Sequence, residues 1–159
     1  MPFQLHFERS RWDDHDEREK QVGAYFESLE LVQHLFPAGA YAIASDRRWY
    51  GFDGYGPHDA GLVKVVIADF HPPDSDPDIE EKPSHTGLSI FLTGSGIREI
   101  RYLNVIRYDL AIGSPEGTCH GNWMYDEFVL SGNHEFAHII EWNNGAKWII
   151  HAREIEVIR

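Results

Sequence analysis

From Gly61 to the C-terminus, apolar residues return at every second position in short runs separated by turn residues. This period restricts the fold more than any other feature, because it lets a strand bury one face and expose the other. In "LVKVVIADF" Val63, Val65 and Ile67 share a face, and in "GLSIFLTG" Leu88, Ile90 and Leu92 do. "IREIRYLNV" and "IRYDLAIG" read as a further extended region. In "NWMYDEFVLSG", Trp123, Tyr125, Glu127 and Val129 alternate with Met124, Asp126, Phe128 and Leu130. "EFAHIIEW" and "AKWIIHAREIEVI" close the chain.

The N-terminal part has a different period. "FQLHF" reads as a short strand, and Asp13, Asp14 and Asp16 suit the start of a helix. Val22, Tyr25, Phe26, Leu29, Val32, Leu35 and Phe36 follow at helical spacing, and Pro37 and Gly39 end the run. "AYAIAS" and "RWYGF" look extended, and "DGYGPHDAG" is loop. "HPPDSDPDIEEKPSH" is rich in proline and acid and poor in apolar residues, as in an exposed loop. The expected fold is a single domain over residues 1–159 in the α+β class. A mainly antiparallel β-sheet curls into a sandwich or half-barrel, with one N-terminal amphipathic helix.

At 159 residues, 42% hydrophobic and 13% aromatic, the chain can bury a substantial core. Its 26 acidic and 14 basic residues leave a net charge of -12. That charge disfavours nucleic acid and anionic membranes as partners. It favours a basic protein partner through electrostatic steering. Cys119 is the sole cysteine, so neither a disulfide nor a thiolate zinc cluster is expected, and the pattern calls for no cofactor. The stretch "MPFQLHFERSRWDD" lacks the apolar core of a signal peptide, and no apolar run is long enough to span a membrane. The expected location is cytoplasmic.

His134-Glu135-Phe136-Ala137-His138 matches H-E-x-x-H, in which two histidines bind zinc and the glutamate polarises the bound water. The motif works only on a helix, since in a strand positions i and i+4 lie about 13 Å apart. The neighbouring residues favour a strand. "EFAHIIEW" and "KWIIHA" flank Asn143-Asn144-Gly145, a hairpin signal. A zinc-dependent hydrolase built on His134, His138 and Glu135 is therefore the alternative, and a hairpin with His134 and His138 on one face is the expectation.

Three other constellations have ordinary structural readings. His58-Asp59 reads as a polar turn in which Asp59 bonds the backbone. Ser95 in "TGSGI" lacks the surroundings of a nucleophile elbow, and Cys119-His120 are too close in sequence for a catalytic pair. Asp126 is different, because a carboxylate on an apolar face needs a partner. Arg98, Arg101 and Arg107 are the expected sources of an ion pair.

The order "HDAGLVKVVI", "TGLSIFLTG", "HGNWMYDEF" and "FAHIIEWNNGAKWIIHAREIEV", covering Trp49 to Ile158, resembles small acidic β-rich bacterial domains, some of them immunity proteins of polymorphic-toxin systems. The N-terminal helix and the acidic loop depart from that pattern. The resemblance carries over no catalytic residues. It implies a non-enzymatic acidic protein that neutralises a basic toxin, such as a nuclease, by occluding its active site. Steering would fall to Asp74, Asp76, Asp78, Glu80 and Glu81, and anchoring to Trp49, Tyr50, Trp123 and Tyr125, with Asp126 and Glu127 beside them. A small-ligand-binding or structural β module is the other alternative, and "AREIEVIR" is a candidate sheet edge for pairing with a second subunit.

Overall fold

The structure, a computed structural model, describes residues 15–70, 85–112 and 119–159. The expected strand "FQLHF" lies outside these residues, as does the acidic loop. Helix α1 spans His15–Leu31, with Asp16 and Glu17 in its first turn and Tyr25 and Leu29 buried. The expected helical run to Phe36 is broken. After Leu31 the chain tightens into a single 3-10 turn, Gln33–Leu35, and Phe36 is already extended (φ -77°, ψ 142°). Pro37 explains the break, since a proline ring disfavours helical geometry in the residue before it.

"AYAIAS" corrects the extended reading, because Ala38–Ala44 form a second helix, α2. Its true repeat is the spacing of four between Ala40 and Ala44, both fully buried. Alanine is also the best helix former, so the apparent alternation with Tyr41 and Ile43 misleads. "RWYGF" is not extended either. Arg47–Tyr50 form a 3-10 turn capped by Asp46, whose side chain accepts the Arg48 N–H at 3.0 Å.

The remaining elements are strands: β1 Gly61–Phe70, β2 His85–Thr93, β3 Glu99–Leu103, β4 Arg107–Leu110, β5 Trp123–Gly132, β6 Glu135–Trp142, β7 Lys147–Ala152 and β8 Glu154–Ile158. They form two antiparallel four-stranded sheets, in the orders β1-β2-β3-β8 and β4-β7-β6-β5. Among the described residues the sheets do not close into a barrel, and the structure is mostly β. Two short connections carry the chain from one sheet to the other. Asn104, at φ 52°, turns β3 toward β4, and Arg153 alone separates β7 from β8.

The hairpin at Asn143-Asn144-Gly145 forms as expected. Glu141 pairs with Lys147, Gly145 sits at φ 87°, and its N–H donates to the Trp142 carbonyl at 2.9 Å. β1 departs from the expected shared face of Val63, Val65 and Ile67. It is an edge strand in which a bulge displaces Val63, leaving Val63 59% and Ile67 43% exposed. Only Leu62 and Val65 of its apolar residues pack against the core.

One hydrophobic cluster joins both sheets to the helices. Trp142 lies at its centre, packed edge-on against Trp123 at 5.5 Å and Trp148 at 4.9 Å. Among the described residues no helix is long and apolar enough to cross a membrane.

Candidate ligand cavity and the polar cluster beneath it

β5 sets the geometry of the site. A bulge between Trp123 and Tyr125 shifts its alternation by one residue. Trp123, expected on the face opposite Asp126, is thereby brought to the same side. Its indole N–H donates to Asp126 Oδ1 at 3.1 Å. The Trp49 indole reaches Asp126 Oδ2 at 2.7 Å, and His138 Nε2 lies 2.8 Å from the same oxygen. The expected arginine pair is therefore corrected. Asp126 is held by two indoles and an imidazole, while Arg101 pairs with Glu99 and Glu156. Two indoles suit this site, because each brings a single N–H on a large apolar body.

His138 is fully buried and stacked on Phe128, with ring centres 3.9 Å apart. A carboxylate can only accept, so His138 Nε2–H donates to Asp126. In the neutral ring, Nδ1 then accepts the Tyr102 hydroxyl at 2.6 Å. Burial first, then the nearby Asp126 charge, pushes the Tyr102 hydroxyl well above its ordinary range, which keeps it a donor. The Tyr102–His138–Asp126 chain crosses from β3 of one sheet to β6 and β5 of the other.

A second hydroxyl pair ties the helices to β5. Tyr25 of α1 lies 2.9 Å from the Tyr50 hydroxyl and accepts the Phe128 N–H at 3.0 Å. The Tyr50 hydroxyl also donates to the Ala44 carbonyl at 3.1 Å. Burial raises both tyrosines well above the usual phenol range.

Above this cluster lies a cavity of about 640 Å³ between α1, the 47–58 segment and β5. Tyr25, Phe26, Trp49, Tyr50, Phe52 and Tyr125 supply aromatic walls, Asp126 the floor, and Arg18, Glu19, Arg47 and His58 the polar lining. Phe52, 74% exposed, stands at the rim, edge-on to His58 at 4.3 Å. Gly23 also lines the cavity, and a Cβ placed there would meet nothing within 4 Å. No crowding therefore requires this glycine, although mid-helix glycine costs about 1 kcal/mol relative to alanine. The glycine leaves this part of the cavity wall without a side chain.

The structure brings together four of the expected site residues, Trp49, Tyr50, Tyr125 and Asp126. Trp49 and Trp123 are buried rather than displayed, so neither is a surface anchor, and Glu127 is buried as well. Asp74, Asp76, Asp78, Glu80 and Glu81 lie outside the described residues. Asp59 is also placed differently from expectation. Its carboxylate is exposed and lies 3.1 Å from His58 Nδ1, while its N–H donates to the Trp123 carbonyl.

The H-E-x-x-H residues lie on a hairpin, with His134 in the turn at φ 55° and exposed, and not on the face of β6. Glu135 pairs with Arg153 at 2.9 Å, and His138 uses both nitrogens inside the core. The helix that the zinc signature needs is thus absent at these positions. Among the described residues no group of three or more His, Cys, Asp or Glu could hold a metal ion.

Sequence reasoning missed Arg18, Arg47, Phe52 and His58 as cavity residues, and Tyr25 and Phe26 as more than a packing stripe. It also missed His138 as the partner of Asp126. The hairpin register held that signal, since Phe128 pairs with His138 and Asp126 with Ile140. Searches against protein-family models, curated proteins and solved structures found no match to this chain.

Proposed function

We propose that the protein is a non-enzymatic binding protein that captures a small, flat, mainly apolar molecule in the cavity between α1 and β5, with its two sheets stacked as an α+β sandwich. The cavity itself carries this reading. Its volume of about 640 Å³ falls in the range of small-molecule sites. Six aromatic side chains line it, beside the charged or polar groups of Arg18, Glu19, Arg47, His58 and Asp126. The cluster beneath it gives Trp49 and Asp126 fixed positions, which lowers the ordering cost of binding. Native mass spectrometry of the gently purified protein tests the idea. The expected result is a non-covalent adduct of small mass that disappears on denaturation and is absent from Gly23→Leu. An adduct that survives in Gly23→Leu, or an empty protein that no aromatic compound stabilises thermally, counts against it.

The net charge of -12 favours a second reading, an immunity-type protein acting in the cytoplasm on a basic toxin such as a nuclease. An acidic surface steers a basic partner at low salt and fixes its orientation. Reversing Asp74, Asp76, Asp78, Glu80 and Glu81 should then weaken capture of the partner at low ionic strength. Unchanged binding would remove the electrostatic mechanism.

A further inference from the structure

Two guanidinium groups line the cavity, Arg18 on α1 and Arg47 on the turn that follows α2. Among the described residues the arginine–carboxylate pairs belong to Arg48, Arg101 and Arg153, and neither Arg18 nor Arg47 takes part in one. Arg47 instead lies over the Phe26 ring, 4.3 Å from its centre, so a cation and an aromatic wall face the same space.

The two acids of the lining do not cancel these charges. Glu19 is 71% exposed, with its carboxylate 3.8 Å from the His15 imidazole. Asp126 already accepts from three N–H groups across its two oxygens. Among the described residues Glu127 also acts on Tyr25 and Tyr50 of the walls, but it is buried and is not part of the lining.

We infer that the cavity takes a planar aromatic ligand bearing an anionic group, with its ring against the aromatic walls and its anion at Arg18 and Arg47. This rests on the cavity being a binding site. Guanidinium groups suit the task because their planar fork meets carboxylate, sulfonate or phosphate oxygens in pairs. An acidic protein that binds an anion must do so through such a local exception, and the exception here coincides with the aromatic cavity.

Two dyes of similar shape separate the two claims. Anilinonaphthalene sulfonate carries one negative charge, and N-phenyl-1-naphthylamine carries none. Their dissociation constants are measured by fluorescence on the folded wild-type protein, Arg18→Gln/Arg47→Gln, Arg18→Lys/Arg47→Lys and Gly23→Leu. The expected preference of the wild-type protein for the sulfonate is about tenfold or more, as for charge-assisted pairs. The glutamine variant should lose that preference while keeping its affinity for the neutral dye, and the lysine variant should keep part of it. Gly23→Leu should bind neither. Equal binding of both dyes by the wild-type protein, blocked in Gly23→Leu, would overturn the anion preference and leave the cavity reading intact. Failure of both dyes to bind, or binding that Gly23→Leu does not change, would overturn the cavity reading and this inference with it.

Discussion

Asp126 shows most clearly how one residue organises its surroundings. A carboxylate 7% exposed is tolerable only with its lone pairs occupied, and Trp49, Trp123 and His138 occupy them. Breaking a buried pair costs more than the pair contributes, because the remaining charge is stranded. Asp126→Asn removes the charge but turns an amide NH2 toward N–H donors, so it is expected to destabilise by about 2 kcal/mol or more in urea unfolding. His138→Phe, which keeps the stack on Phe128, should cost about 2 kcal/mol or more by stranding Asp126 and Tyr102. The double variant should fall short of the sum by about 1 kcal/mol or more, since the two act as one unit. Additive losses would mean that the contact contributes little. The need for a partner was legible in the alternation around Asp126. Its identity was not, because the bulge in β5 and the Trp49 indole, 77 residues away in sequence, depend on tertiary packing.

The buried tyrosines also make stability depend on pH at the alkaline end. Tyr25, Tyr50 and Tyr102 all have hydroxyl pKa values raised by burial, so above the ordinary phenol range the unfolded chain releases protons that the folded chain retains. Their contribution is complete below about pH 10 and is lost as pH rises beyond it, by about 1.4 kcal/mol per pH unit for each tyrosine. Urea unfolding between pH 8 and 11.5 measures this slope, and Tyr102→Phe should make it shallower by about one third. An unchanged slope would place the Tyr102 hydroxyl in solvent.

At the scale of elements, α1 joins two demands that conflict. Helix stability favours a side chain at position 23, and the cavity favours none. Gly23→Ala should therefore raise stability by roughly 0.5–1 kcal/mol, read as a rise of a few degrees in melting temperature. A fall would mean that the space beside Gly23 is filled. The β6–β7 hairpin was legible because its turn chemistry is local, with Asn-Asn-Gly between two β-rich runs. α2 was not, because its alanines alternate with Gly39, Tyr41 and Ile43 and carry a false period of two. β1 was recognised as a strand, but the bulge at Val63 breaks the face expected for Val63, Val65 and Ile67. Edge position depends on which strands pair, and nothing within "LVKVVIADF" encodes that.

At the scale of the molecule, the two sheets and their common core fix the distance between α1 and β5, and the cavity is the space that distance leaves. Its lining comes from α1, the 47–58 segment and β5, so no single stretch of sequence displays it. Composition gave the overall charge but not the local exception at Arg18 and Arg47, which arises only when α1 and the 3-10 turn meet. The most direct test of the cavity as a binding site is a nitrogen-15 NMR titration of the tryptophan indoles with N-phenyl-1-naphthylamine. The expected result is a saturable shift of the Trp49 indole, which lines the cavity, with the Trp148 indole, bonded to the Ala111 carbonyl, unmoved. A Trp49 signal that stays fixed at saturating dye, or moves equally in Gly23→Leu, would contradict it.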